Sequence, residues 1–277
     1  MIDWMTVLSL SALIAYAAAT LAFVWFASLA RPLSKFVAYG LLFAAVTFHV
    51  ATVAFGLIFG TSTLGALPDT ALSISLLFAL IFSGLCWRFN LAGLGFILAP
   101  LAALGLTSQW MSPAHEFHTT PLVDTVWLGM HIAVAVLGDA LLLLLGLMAF
   151  AFLLQDRFLR QKKMGGLFAK LPPLTELDRL ALLLLITTFV FSTAGMLTGS
   201  VLAYQYWGQE WYTDPRQILS ISLWFGISLL LYGRLLAGFR GRRAAWCTLA
   251  VACVSLCGLT LLPTISSTKH QGGYVAH

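Results

Sequence analysis

The chain has 277 residues, of which 60% are hydrophobic and only 9% charged. Soluble domains carry about a quarter charged residues, so an ordinary water-soluble domain is excluded. The net charge of +5 is dispersed among breaks between apolar runs, which excludes nucleic acid as a partner and leaves membrane lipid as the principal one.

The runs are continuously apolar rather than alternating with period two, so the expected fold is all-α, a polytopic integral membrane bundle. Eight runs are read in order, over 4–28, 36–60, 70–87, 91–107, 125–154, 178–205, 217–238 and 244–263. They are expected to form a single transmembrane domain over 1–277. The third and fourth are short and joined tightly around "CWRFN". The first run opens "MIDWMTV", with an acidic flank, and is read as a retained helix rather than a cleavable signal.

Alternate breaks carry the cations. Arg31 and Lys35, then Arg88, then Arg157, Arg160, Lys162, Lys163, Lys170 and Arg179, then Arg234, Arg240, Arg242 and Arg243 hold thirteen of the fifteen basic residues. By the positive-inside rule these breaks, including the basic loop 155–178, face the cytoplasm, and both termini lie outside. A multi-pass protein of the cell inner (cytoplasmic) membrane is expected. Two polar stretches then fall outside: "TSQWMSPAHEFHTTPLVD", and "YWGQEWYTDPRQ" over 206–217.

Ionisable residues well inside the apolar runs, away from their ends, are costly and usually face a partner. These are His49, His131 and Asp139, the last eight residues after His131 on nearly the same helical face. Asp139 reads either as an intramembrane relay with the histidines or as a carboxyl hydrogen-bonded to a neighbouring helix. Thr187, Thr188, Ser192, Thr193, Thr198 and Ser200 could supply such a bond. Gly195 and Gly199 have the small-xxx-small spacing that permits close backbone approach.

Other chemistry is weakly signalled. Cys86, Cys247, Cys253 and Cys257 form no CxxC and support neither a redox motif nor a disulfide framework. His115, Glu116 and His118 offer ligands for a divalent cation but fix no third site. No catalytic triad, nucleotide-binding glycine loop or HExxH helix is present.

In the second outer stretch, Trp207, Gly208, Trp211, Asp214 and Pro215 follow the order W-G-x-x-W-x-x-D-P, and Trp224 falls on the next helix. This resembles the tryptophan-rich signature of the cytochrome c assembly membrane proteins, the family of CcsA, CcmC, CcmF and their HemX-like relatives. The segments "LPPLTELDRL" and "GFRGRRAAW" look like the HemX-like branch. The signature's third Trp is Thr213 here, its Lys is Arg216, its Glu is Gln217 and its final Trp is Leu219.

The resemblance implies an outer aromatic platform for haem, with indole faces against the porphyrin, Arg216 at a propionate and imidazole at the iron. It assigns Trp207, Trp211, Asp214, Arg216 and Trp224 to the cofactor. His131 stands where the first loop-flanking ligand is expected and His49 where the first membrane ligand is. The second membrane histidine is replaced by the sequence around Gly233 and Arg234, and only His270 stands near the second outer position. Composition alone reads the same aromatics as an interfacial belt.

Two functions follow from the resemblance. One is haem handling in cytochrome c-type biogenesis, short of a complete haem lyase, with other biogenesis proteins or an apocytochrome as partners. The other is a non-catalytic HemX-like regulatory or scaffold protein that has lost ligands and acts on a cytoplasmic tetrapyrrole-pathway protein.

Overall fold

A helix satisfies its own backbone hydrogen bonds, which hydrocarbon cannot do for it, and each apolar run folds accordingly. The computed structural model describes residues 4–29, 32–59, 67–89, 91–111, 126–162 and 171–265. In chain order the helices are α1 (Trp4–Leu29), α2 (Pro32–Ile58), α3 (Leu67–Phe89), α4 (Gly95–Met111), α5 (Val126–Arg160), α6 (Leu174–Trp207), α7 (Pro215–Leu235) and α8 (Gly241–Ile265). A 3-10 turn over Ala92–Leu94 leads into α4, and a 3-10 segment over Gly208–Thr213 joins α6 to α7. The described residues contain no strand.

Seven of these helices are long and apolar enough to cross a bilayer. The short one, α4, has 17 residues with Pro100 inside it. At about 1.5 Å per residue it reaches roughly 26 Å, under the roughly 30 Å of a hydrocarbon core. The outward surface is that of a protein dissolved in lipid: Ile14, Leu21 and Phe36 are 70%, 71% and 74% exposed. Hydroxyls on the helices mostly donate to a carbonyl one turn back, as Ser11 does to Val7 and Thr20 to Tyr16, so they need no water.

Helix ends depart from the apolar runs where charges can pair. α5 continues past 154 to Arg160, whose Nε donates to Asp156 at 2.9 Å, and α6 begins at Leu174, just after Pro172 and Pro173. Hydropathy marks where lipid ends, while a helix continues into water when its polar side chains support it.

The helices gather into two compact units. The first comprises Met1–Thr63, Pro68–Pro113 and Ala151–Leu177. Within it the Tyr16 hydroxyl of α1 and His49 Nδ1 of α2 are 3.2 Å apart, and Phe23 meets Tyr39 edge-on at 6.0 Å. Tyr39 in turn donates to the Cys86 carbonyl of α3 at 3.3 Å.

The second unit comprises Leu64–Leu67, Ala114–Phe150 and Asp178–His277. Here α5 lies against α6, with Gly138 on the Ser192 backbone and Gly195 on the Ala135 backbone. It also meets α8, where Gly146 faces Ala252, and α8 meets α7, where Gly226 faces Val251. α7 closes back on α6 through Arg234, which is 8% exposed. Its Nη1 donates to Asp178 Oδ1 at 2.8 Å and its Nη2 to the Asp178 carbonyl at 2.9 Å.

The two partners of that bridge are buried to different degrees, the Arg234 side chain 7% exposed and that of Asp178 29%. Removing one partner of a buried pair strands the other, at about 3–5 kcal/mol when the survivor is fully desolvated. Asp178→Ala leaves the buried guanidinium with only the backbone carbonyl of residue 178 and no counter-charge, at an expected cost of about 3 kcal/mol, whereas Arg234→Ala leaves a partly exposed carboxylate and is expected to cost clearly less. Thermal unfolding of both variants in detergent measures the difference, and equal losses would contradict the assignment.

Candidate functional site

Three sequence events build the turn between α6 and α7. Gly208, at φ +66°, ends α6 in the left-handed region that side-chain-bearing residues avoid. Six residues of 3-10 helix follow, Gly208–Thr213, with Thr213 Oγ donating to the Glu210 carbonyl at 2.7 Å. Asp214 then caps α7: its Oδ1 accepts from the Arg216 backbone N–H at 2.9 Å, and Pro215 takes the first helical position. Expected from sequence as a loop, the stretch is therefore helical on both sides of a single capped step.

The capping explains why Asp214 is 2% exposed, its carboxylate turned to the backbone. Trp211 is half-buried, with Tyr212 edge-on at 6.3 Å, and Tyr212 is 58% exposed. Neighbouring aromatics of the turn thus differ in exposure, Trp211 being the more covered. Arg216 is half-buried on the first turn of α7. Trp207 is the last residue of α6, and its side chain lies outside the described residues. Further along α7, Trp224 is held against α6: its Nε1 donates to Thr193 Oγ1 at 2.9 Å and its ring stacks on Phe189 at 6.2 Å.

His131 meets the turn through α6. Its Nδ1 lies 3.1 Å from Thr198 Oγ1, and a Cβ on Gly199 would come within 2.6 Å of its Cε1. The imidazole therefore rests on the bare backbone of Gly199. The next residue, Ser200, accepts from Gln217 Nε2 at 3.2 Å. One step of α6, Gly199 and Ser200, carries the histidine on one side and the first turn of α7 on the other. Gln217 is 7% exposed, where a neutral amide bonded to a hydroxyl costs less than the carboxylate of the signature's Glu.

Asp139 follows Gly138 on α5 and is half-buried. The α6 hydroxyls expected as its partners are engaged elsewhere: Thr187, Ser192 and Thr193 donate to carbonyls of their own helix, and Ser200 serves Gln217. Thr188 Oγ1 is buried and meets no partner.

His49 belongs to the first unit and has no exposed surface. Its Nε2 makes no hydrogen bond. His115, Glu116, His118 and His270 lie outside the described residues. Among the described residues no three His, Cys, Asp or Glu side chains cluster as a metal site.

Sequence reasoning saw Thr198 as a partner for Asp139 and Gly199 as packing, and missed that both serve His131. The available signal was the glycine pair on α6 facing a helix that carries an isolated histidine. Gly199→Ala is expected to push the ring off α6 and cost about 1–3 kcal/mol by overpacking. Gly195→Ala, whose new Cβ would lie 3.4 Å from the Ala135 Cα, should be milder. Melting temperatures of the two variants test the order, which reverses if the His131 ring sits elsewhere.

Comparison with known proteins agrees with the motif. The family model described as cytochrome C assembly protein matches residues 4–265. A CcsA cytochrome c biogenesis protein of Parasynechococcus marenigrum is 30% identical over 194 residues, covering 61% of this chain and 62% of the relative. The CcsA protein of Chlamydomonas reinhardtii is 28% identical over 158 residues, covering 55% and 43%. An uncharacterized 28.8 kDa protein in the nifR3-like 5′ region of Azospirillum brasilense is 36% identical over 120 residues, covering 43% and 44%. The chain thus spans less than two thirds of each of these relatives. With a family match from the first described helix to the last, on a helical membrane protein that carries the tryptophan-rich turn, the chain belongs to the cytochrome c assembly protein family.

Proposed function

We propose that the protein is a haem-handling component of cytochrome c assembly in the inner (cytoplasmic) membrane, presenting haem at its extracytoplasmic surface. What supports this reading is that successive residues of α6 meet His131, at Gly199, and the first turn of α7, at Ser200. Neutral imidazole suits haem iron, a half-buried indole suits a porphyrin face and a guanidinium suits a propionate. His131, Trp211 and Arg216 supply those three chemistries from one unit. Trp207 belongs to the same turn by sequence. Asp214 and Trp224 act by fixing α7, one as its cap and the other as its clamp on α6.

Haem supplies the redox-active iron that cytochrome c formation requires; in this reading it is cargo, and the chain is a carrier rather than a haem lyase. His49 is the second candidate ligand. Its Nε2 makes no hydrogen bond, but the ring has no accessible surface, so ligation there requires α1, α2 and α3 to part. Other biogenesis proteins or an apocytochrome are the natural recipients.

One observation favours a second reading, a HemX-like scaffold that lost its ligands and works on a cytoplasmic tetrapyrrole-pathway protein. Where the resemblance places a second membrane histidine, Arg234 is instead committed to Asp178.

Absorption spectra of protein purified from haem-replete cells separate these cases. A Soret band is expected, lost in His131→Ala and retained in His49→Ala. Loss in His49→Ala alone would move the iron to the first unit. A colourless wild-type preparation, colourless also after titration with ferric haem, would leave the scaffold reading.

A further inference from the structure

We propose that Thr198 is a positioning residue that holds His131 in its Nδ1–H tautomer and so turns Nε2 into the basic, ligand-type nitrogen. The part of this concerning iron rests on the haem-handling reading; the tautomer itself does not.

The argument follows the one proton of the Thr198 hydroxyl. Thr198 Oγ1 lies 2.8 Å from the Ala194 carbonyl, with the Gly195 carbonyl at 3.2 Å. Two oxygens at 2.8 Å must share a proton, and a carbonyl has none, so the hydroxyl donates to Ala194. Its lone pairs are what it offers to His131, 3.1 Å away. An acceptor facing Nδ1 requires Nδ1 to carry the hydrogen, and a neutral imidazole with Nδ1–H has its lone pair on Nε2.

Geometry fixes the ring as well as the proton. Cε1 is the ring atom nearest to a Cβ built on Gly199, and the two nitrogens flank Cε1. Nδ1 and Nε2 lie 3.2 and 3.3 Å from that position, so with Nδ1 at Thr198 the second nitrogen also lies beside Gly199, across Cε1 from the first. The ring cannot swing toward α6, because the backbone of Gly199 is already beneath it. Such an outer hydrogen bond is the usual device by which a protein orients a histidine toward a metal and raises its basicity, and its loss typically costs 10–100-fold in affinity.

The sequence around this contact is consistent with the role. Ser, Thr and Val at position 198 would all fit a helix, but only the first two have a hydroxyl, and only a helix-bonded hydroxyl is forced to be an acceptor. Thr198→Val is therefore nearly isosteric and removes only the acceptor.

The experiment uses full-length protein with ¹⁵N-labelled histidine in lipid nanodiscs, free of haem. The His131 resonances are identified by their loss in His131→Asn. The expected result is an Nδ1–H imidazole in wild type and in Thr198→Ser, and an Nε2–H or mixed imidazole in Thr198→Val. An Nε2–H ring in wild type, or the same tautomer in wild type and Thr198→Val, overturns the proposal. Ferric haem is then titrated into each protein and followed at the Soret band. About tenfold weaker binding in Thr198→Val with recovery in Thr198→Ser is expected from the magnitude above. If the tautomer changes as stated but no protein binds ferric haem, the haem reading falls and the assignment to Thr198 stands. Equal haem affinity in wild type and Thr198→Val overturns the positioning role.

Discussion

The bare backbone of α6 at Gly195 and Gly199 is the constraint on which the second unit depends. Between helices in lipid the hydrophobic effect offers no net attraction, because acyl chains are as apolar as leucine, so close packing and hydrogen bonds must supply it. The glycines let α5 approach until Ala135 and His131 lie directly on α6. That approach brings an imidazole within reach of Thr198, and it leaves Ser200, one residue on, to bind Gln217 of α7. Three helices are thereby registered at one level by two hydrogen bonds and an absent side chain.

The tryptophan-rich stretch serves this arrangement as a structural instruction before it serves any ligand. Gly208 stops α6, a 3-10 segment of six residues covers the gap, and Asp-Pro starts α7. The spacing from Gly to Asp-Pro is the length of that segment, so the motif keeps its spacing for backbone reasons. The aromatics ride on it, and their division is informative. A belt anchored in headgroups would send both Trp211 and Tyr212 outward; only Tyr212 is strongly exposed, and Trp211 is the more covered.

Much of this was legible in the sequence, for identifiable reasons. Helix number and approximate span follow from hydropathy, because continuous apolar runs can only be helices in lipid. The shortness of α4 was visible as well. Helix ends were not: α5 reaches Arg160 and α6 reaches back to Leu174 because ion pairing and proline placement, not hydropathy, decide where they stop. Gly208 and Asp214-Pro215, which build the turn between α6 and α7, could be read from the motif. The contact of His131 with Thr198 could not, since 67 residues separate them and only the register of two glycines brings them together. Asp214 and Trp224 were read as groups for a cofactor, while the structure engages one with the backbone of its own helix and the other with Thr193.

Charge placement inside the second unit completes the picture. Arg234 is neutralised by Asp178, with its second nitrogen on a carbonyl, so this end of α7 carries a saturated pair whose worth lies in locking α6 to α7. Asp139 has no such lock. Of the α6 hydroxyls that might have held it, Thr187, Ser192 and Thr193 are spent on their own helix, Thr198 lies against His131, Ser200 serves α7, and Thr188 is buried without a partner. Arg216, half-buried on the first turn of α7, is the cation nearest in sequence to the tryptophan-rich turn, and neither it nor Asp139 is locked as Arg234 is.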